Sequence, residues 1–225
     1  MNNPKFNSQS GFSLLELVIG MTVTLILLSV LSMVIHRATG VNAREGRKAD
    51  ALVSAQAALN VMSREIGNAG FGIYLDGTTQ TPSNGIVAAD SNARQIHIRS
   101  NFSNVGDYTA PAGSTVLNTN DPGEDVTYFF DASTNSIVRY DPNLPPAERT
   151  SVIVNRISDV TFEYFNYTTS SSTVTQTTSP TTATGRVRIN VQVQLDPVVG
   201  QAQNETVSFT SDVTLRNSNY MLRQY

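Results

Sequence analysis

The pattern of hydrophobic residues divides the chain into an apolar stretch, an amphipathic stretch and a long region of alternation. Residues 12–35 are apolar with few interruptions. Residues 36–66 keep the spacing of one helical face, where apolar side chains recur three or four positions apart: Leu52, Ala55, Leu59, Met62 and Ile66. From residue 73 onward the period changes to two, which is typical of β-strands. The pattern predicts an α+β fold, with a long N-terminal helix that packs on an antiparallel β-sheet.

Short alternating segments predict the strands of this sheet. The residues predicted to face the core are Ile96, Ile98, Val126, Tyr128, Phe130, Ile137, Val152, Val154, Val160, Phe162, Tyr164, Val187, Ile189, Val191, Val193, Leu195, Val207, Phe209, Ser211, Val213 and Leu215. A polar turn at residues 131–135 predicts a β-hairpin. The sheet needs a cover on its buried face, which the apolar face of residues 36–66 supplies. The Thr/Ser-rich residues 168–185 predict a flexible loop or a long hairpin connection.

The predicted helix has few interruptions and a clear end. No proline lies between residues 12 and 66, and Gly67 follows the last apolar position, where a left-handed glycine commonly ends a helix. Small polar residues interrupt the apolar stretch: Thr22, Thr24, Ser29 and Ser32. Such residues allow helices to approach closely in membranes, or they bond to their own backbone carbonyls. The sequence leaves both interpretations open.

The apolar stretch has the length of a membrane span and one ionisable side chain. Residues 12–35, roughly 24 residues, suffice to cross a hydrocarbon core of ~30 Å. Glu16 is the exception near its start, and a carboxylate at such a depth costs about 2.5–3.5 kcal/mol on insertion scales. We therefore expect Glu16 to have a cationic partner, unless it is an incidental charge near the membrane interface.

The residues around Glu16 resemble a known processing site. Gly11-Phe12-Ser13-Leu14-Leu15-Glu16, after a short polar leader, is similar to the prepilin cleavage site of the type IV pilin family, which includes the pseudopilins of type II secretion. The resemblance implies that prepilin peptidase cuts after Gly11, that Phe12 becomes the N-methylated terminus, and that Glu16 guides assembly. In a helix, Glu16 would lie one turn from the new amine, or it would meet the amine of a stacked subunit. Such a buried pair sets an axial register more than it adds stability.

The resemblance also implies a domain organisation and a location. Residues 1–11 would be the leader, 12–35 the transmembrane and filament-core helix, 36–72 the stem helix and its exit, and 73–225 a periplasmic head. The implied partners are prepilin peptidase, other minor and major pilins, an inner-membrane assembly platform and membrane lipid. The implied location is the inner membrane and then the pilus, either at the tip or in the shaft.

Two alternatives to this interpretation are the opposite membrane topology and an ordinary secretory signal. Basic side chains are more numerous on the C-terminal side of the apolar stretch, which has Arg37, Arg44, Arg47 and Lys48, than on its N-terminal side, which has only Lys5. Counted alone, these charges favour a cytoplasmic C-terminal region, although large domains can translocate regardless of them. An ordinary secretory signal is the other alternative, but its apolar core spans only about 7–15 residues and it would be cleaved beyond position 38.

Composition excludes several classes of function. The chain has 225 residues, a net charge of −3 and no cysteine. An acidic chain is not expected to bind nucleic acid generally. Without cysteine there is no disulfide or thiolate metal site. Many pilins close a C-terminal loop with a disulfide, so a different contact must hold that loop here.

The sequence offers little material for catalysis, and we expect neither an enzyme nor a cofactor. No nucleophile elbow, HExxH helix or phosphate-binding glycine loop occurs. His97 alternates with isoleucines, which predicts a surface position on a strand. Asp121, Glu124 and Asp125 surround a Pro-Gly turn and are weak candidates for a calcium site, although acidic residues also suit a plain turn.

The segment after the helix narrows the resemblance. Arg64-Glu65-Ile66 followed by residues 67–72 is similar to the helix exit of PilW-type minor pilins, which implies a part in priming pilus assembly. A J-type pseudopilin of type II secretion is the nearest alternative. More remote alternatives are a membrane-anchored periplasmic enzyme and a DNA-uptake subunit that uses the basic strip at Arg186 and Arg188.

Overall fold

The residues that the structure describes form a long helix, a short 3₁₀ helix, eight strands and a short C-terminal helix. The computed structural model describes residues 13–73, 83–103, 119–167, 173–195 and 206–222. Its elements are α1 (Leu14–Gly67), a 3₁₀ helix (Ala88–Asp90), β1 (Gln95–Arg99), β2 (Asp125–Asp131), β3 (Ser136–Tyr140), β4 (Thr150–Asn155), β5 (Asp159–Tyr167), β6 (Val174–Thr177), β7 (Thr184–Gln194), β8 (Thr206–Thr214) and α2 (Asn219–Leu222). A long helix packed on antiparallel strands confirms the predicted α+β, pilin-like fold class.

The described residues fall into two compact units, one with α1 up to Gly46 and one that begins at Arg47. In the first unit the apolar side chains of α1 are exposed, and the helix is long and apolar enough to cross a membrane. Thr22 Oγ1 donates to the carbonyl of Ile19 at 2.8 Å, and Thr24 and Ser29 make similar bonds within the helix. The hydroxyls of these three residues therefore bond to their own backbone, one of the two interpretations that the sequence left open.

The described residues of the second unit form two four-stranded antiparallel sheets, whereas the alternation predicted one sheet. Their strand orders are β1-β2-β3-β4 and β6-β5-β7-β8. The predicted hairpin around residues 131–135 is confirmed, since β2 pairs with β3 across it. Residues 168–185, predicted as a flexible loop or a long hairpin connection, include the edge strand β6, which pairs with β5. Threonine and valine suit a strand when an edge is available for pairing.

From Arg47 onward, α1 buries one face in the core that both sheets share. Its buried residues are Ala51, Ala55, Ala58, Leu59, Met62, Ile66 and Gly67. Leu52, predicted for this face, is 39% exposed instead. The face follows alanines at positions 51, 55 and 58, whose small side chains let the helix backbone approach its neighbours. Ser63 meets Ser211 of β8 at 3.1 Å, which explains a hydroxyl at an inward strand position.

The helix ends later than the first glycine suggests. Gly67 is the last helical residue, whereas the positive φ angles belong to Gly70 (82°) and Gly72 (65°). The helix thus ends at residues 67–72, as predicted, but the left-handed glycines are Gly70 and Gly72 and not Gly67. A Cβ atom on Gly70 would lie 2.0 Å from the carbonyl oxygen of Ser83, so close backbone approach also requires glycine there.

The C-terminal segment is held without a disulfide. Asn217 Nδ2 donates to the carbonyl oxygen of Ala69 at 3.0 Å, just after α1. The ring of Tyr220 stacks on the ring of Tyr167 at 4.1 Å. These contacts do for the C-terminal segment what a disulfide does in many pilins.

Candidate processing and assembly site

Glu16 lies in the first turn of α1 and is exposed to solvent. The Leu17 amide donates a hydrogen bond to the Ser13 carbonyl at 3.1 Å, so a helical turn is formed at residues 13–17. A carboxylate is favourable near a helix N-terminus, where the unpaired amides carry a partial positive charge. Its neighbours are exposed leucines, with Leu14 79% and Leu15 69% exposed. The local structure thus presents one carboxylate on an apolar helical surface.

The residues of the predicted cleavage site, Gly11 and Phe12, lie outside the described residues, as does the rest of the leader. The distance between Glu16 and the predicted terminal amine is therefore not part of the described geometry. The Glu16 carboxylate forms no hydrogen bond or ion pair with the described residues. Its role in assembly stays a prediction.

A second charged group, missed by the sequence reasoning, lies at the other end of α1. Glu65 Oε2 accepts hydrogen bonds from the Tyr128 hydroxyl at 2.6 Å and from Arg139 Nε at 3.1 Å. Arg139 also lies 3.3 Å from the buried Asp141 carboxylate. Burial, and then the charge and hydrogen bond of Glu65, raise the pKa of the Tyr128 hydroxyl above its usual 10.0. The group joins the end of α1 to β2 and β3.

One signal for this group was present in the sequence. In β3, Ile137 faces the core, so strict alternation places Arg139 on the same face. A cation at an inward position requires an acidic partner, because an unpaired charge is costly to bury. The sequence does not show which acid that is, since Glu65 is 74 positions away.

His97 is buried, which corrects the surface position that alternation predicted. Its ring is 11% exposed and lies between two carboxylates, with Nδ1 3.1 Å from Asp90 and Nε2 in contact with Asp125. Arg99 Nε contacts the other Asp125 oxygen at 2.9 Å. Burial raises the pKa of Asp125, but the interactions with His97 and Arg99 outweigh it, so the pKa lies below its usual 3.8. The four side chains tie the 3₁₀ helix to β1 and β2.

The three candidate calcium ligands do not share a site. Glu124 is 2% exposed, and its Oε1 accepts hydrogen bonds from the backbone amides of Phe102 and Ser103, each at 2.9 Å. Asp121 bonds to the Ser103 hydroxyl, and Asp125 faces His97. Across the part of the chain that the structure describes, no group of three acidic or histidine side chains is placed to hold a metal ion.

Arg188, one of the two arginines of the basic strip on β7, is paired within the second sheet. Arg188 Nε bonds to Asp212 at 2.8 Å and its Nη1 lies 3.8 Å from Glu163. The guanidinium of Arg186 lies over the Phe165 ring at 4.1 Å. Both carboxylates pair with Arg188, whereas Arg186 packs on an aromatic ring. The pairing of Arg188 weakens the strip as a site for a polyanion.

Comparison with known proteins identifies the N-terminal motif. Residues 6–32 match the prokaryotic N-terminal methylation motif, a span that contains Gly11, Phe12 and Glu16. Searches of curated proteins and of solved structures returned no match. The motif, at the head of a long apolar helix on an antiparallel β-fold, supports a type IV pilin-like protein. This class, pilin or pseudopilin, is trimmed by prepilin peptidase and anchored in a membrane by its apolar helix.

Proposed function

We propose that this protein is a minor pilin of the PilW type that primes, or takes part in, type IV pilus assembly. The observation that carries the proposal is the methylation motif at residues 6–32, which overlaps the start of α1 and contains Glu16, the one carboxylate of the apolar stretch 12–35. The protein acts by assembling and not as an enzyme. The paired charges around His97 and Arg188 fit a structural protein, since each has a partner from a neighbouring element.

Assembly in this proposal depends on Glu16. Apolar helices leave the bilayer and bundle into a filament core, where a carboxylate without a partner is unfavourable. The methylated amine of Phe12, from the same or the neighbouring subunit, would pair with Glu16. Only one axial offset between subunits satisfies that pair, so the charge selects the register.

The proposal includes an orientation and a set of partners. The precursor spans the inner membrane once, with residues 73–225 in the periplasm, and moves into the pilus when it assembles. Its partners are prepilin peptidase, other minor and major pilins, and the inner-membrane assembly platform. The helix exit at residues 64–72 is what favours a PilW-type subunit over other minor pilins.

Processing is tested by the mass of the mature protein. Gly11→Asp should block cleavage, so that the protein recovered from membranes keeps its leader, whereas wild type begins at a methylated Phe12. Gly46→Asp is the matched control, because no atom lies within 4 Å of a Cβ at that position. Continued trimming of Gly11→Asp would contradict the site assignment.

Assembly is tested separately from processing. Glu16→Val should leave membrane insertion and trimming intact but reduce incorporation into sheared pili. Asp50→Val, at an exposed carboxylate of the same helix, should incorporate normally. Wild-type incorporation of Glu16→Val would reject the register role. Loss of protein secretion with intact pili, in a strain that lacks the gene, would instead favour the J-type pseudopilin.

A further inference from the structure

Strand β4 is the open edge of the first sheet. It pairs with β3 on one side, and no described strand lies on its other side. Thr150, Ser151 and Val152 are exposed, and Val152 is 58% exposed. An open edge presents unpaired N–H and C=O groups that can bond to another strand.

The opposite edge of the same sheet is closed by the chain itself. Ile86 forms a bridge with Ile98 of β1, and the Val87 amide donates to the His97 carbonyl at 2.9 Å. The amide of Arg99 donates to Gly85 at 2.7 Å. The protein thus covers β1 but leaves β4 uncovered in the described residues.

An apolar row on the outer face of the sheet runs to this open edge. Phe129, Val138 and Val152 are aligned in register across β2, β3 and β4. They point away from the core, because the alternate residue Tyr128 faces it; this corrects the core-facing position that alternation predicted for Val152. Val138 is only 4% exposed, whereas Val152, which has no described strand beyond it, is 58% exposed. A side chain on an added strand would continue the row, and such cross-strand pairs contribute about 0.2–1 kcal/mol each.

The composition of β4 indicates what kind of strand fits. Natural edges are commonly protected by lysine or proline, but residues 150–155 contain no charge and no proline. Arginines flank the strand at both ends, Arg149 and Arg156, with Glu148 as the neighbouring acid. Ile153 has no partner in β3, where the register shifts, and this bulge restricts regular pairing to a short length.

We propose that β4 accepts a short extended segment of another protein by strand addition. The segment is uncharged in its middle, carries β-branched residues at alternate positions, and has carboxylates at its ends. A second copy of this chain fits less well, since antiparallel pairing of two β4 strands would gather arginines of both copies at each end. The inference does not depend on the proposed function, because the edge of the sheet is the same in a minor pilin and in a pseudopilin.

Hydrogen exchange in the full chain, kept in detergent micelles, tests the inference. The probe is the peptide acetyl-Glu-Thr-Val-Thr-Val-Thr-Glu-amide, and its control has lysine in place of both glutamates. We expect the first peptide to slow exchange of amides in residues 150–155, and the lysine peptide to bind at least about fivefold more weakly at low salt. Val152→Lys should abolish the protection. Val174→Lys, on the exposed edge strand β6, should retain it.

Three results would overturn the inference. Unchanged exchange at residues 150–155 with saturating peptide would show that the edge does not add a strand. Equal binding of both peptides would remove the charge argument. Self-association of the chain that Val152→Lys abolishes would identify the occupant as a second copy. A thermal midpoint of Val152→Lys close to wild type excludes unfolding as the cause of lost binding.

Discussion

Replacing Glu65 should loosen the end of α1 from the first sheet. The carboxylate would ordinarily be unfavourable in the last helical turn, where the unpaired carbonyls carry a partial negative charge. Here Tyr128 and Arg139 bond to the same oxygen, Oε2, at 2.6 and 3.1 Å. The Glu65 side chain is 22% exposed and Arg139 is 15% exposed, so water screens the pair only in part.

The expected loss follows from the groups left behind. In Glu65→Ala the Tyr128 hydroxyl, on a fully buried residue, loses its acceptor, which costs about 1–3 kcal/mol. Arg139 keeps Asp141 as a partner at 3.3 Å, so the full cost of about 3–5 kcal/mol for orphaning a buried charge should not appear. We expect a loss of about 2–3 kcal/mol in the free energy of unfolding for Glu65→Ala. Glu65→Gln keeps an acceptor for Tyr128 and should lose about half as much.

A double-mutant cycle with Tyr128→Phe measures the pair directly. Urea unfolding of the full chain in micelles, followed by circular dichroism of the sheets, gives the free energy of each variant. Because the two side chains share one bond, we expect a coupling energy of about 1–2 kcal/mol. Asp50→Ala, on the same helix but exposed, should change stability by less than about 0.5 kcal/mol. Additive losses for Glu65 and Tyr128, or equal losses for Glu65→Ala and Asp50→Ala, would refute the reasoning.

Three further predictions concern pH and backbone geometry. Since the pKa of Asp125 is depressed, its contribution to the free energy of unfolding should be present at neutral pH and lost as pH falls below 3.8. Asp125→Asn should lose about 2 kcal/mol at pH 7, and urea titrations should show that its stability falls less steeply than that of wild type at acid pH. Burial raises the pKa of Tyr164 above 10.0, so wild type should lose stability above pH 10 and Tyr164→Phe should lose less; parallel profiles would contradict this. Gly85→Ala should lower the free energy of unfolding by more than about 3 kcal/mol, because its Cβ would lie 1.9 Å from the Gly70 nitrogen at a φ of 71°. Gly123→Ala, whose nearest atom would be 3.9 Å from the Cβ, should lose only about 1–3 kcal/mol to backbone strain. Thermal unfolding of both variants measures the difference.

Strand positions were predictable wherever a strand has one buried face. In β7 the predicted inward residues Val187, Ile189 and Val191 are all fully buried. The same holds in β5, where Phe162 and Tyr164 are buried. Alternation shows which side of a strand is apolar, and burial on one side is what selects for it.

Pairing was not predictable, because alternation carries no information about neighbours. Two sheets and one sheet give the same pattern along each strand, so their number emerged only with the structure. The edge strand β6 is largely exposed and has no apolar face to reveal it. Helical spacing located the buried face of α1 but misplaced Leu52, because alanines carry little hydrophobic signal of their own.

Polar clusters were the least predictable feature of the candidate sites. His97 has the expected position in a strand, yet it is buried because carboxylates from the 3₁₀ helix and from β2 cover its ring. Asp125 is 28 positions away from His97, and no periodicity links them. The N-terminal motif could be found because all of its residues are close in sequence, which is also why a family comparison detects it.

Glu16 and Glu65 of α1 show why partners, more than residue type, decide the role of a carboxylate. Glu65 satisfies its charge within its own chain, through a tyrosine and an arginine 63 and 74 positions away, and it therefore serves the fold. Glu16 has no such partner among the described residues, although apolar side chains surround it. In the proposed function, the partner of Glu16 is a group supplied by cleavage or by another subunit. We expect Glu16→Val to leave the stability of the second unit unchanged and to reduce incorporation into pili. We expect Glu65→Ala to lower that stability and to leave incorporation intact. This pair of results would show that assembly and folding depend on different parts of α1.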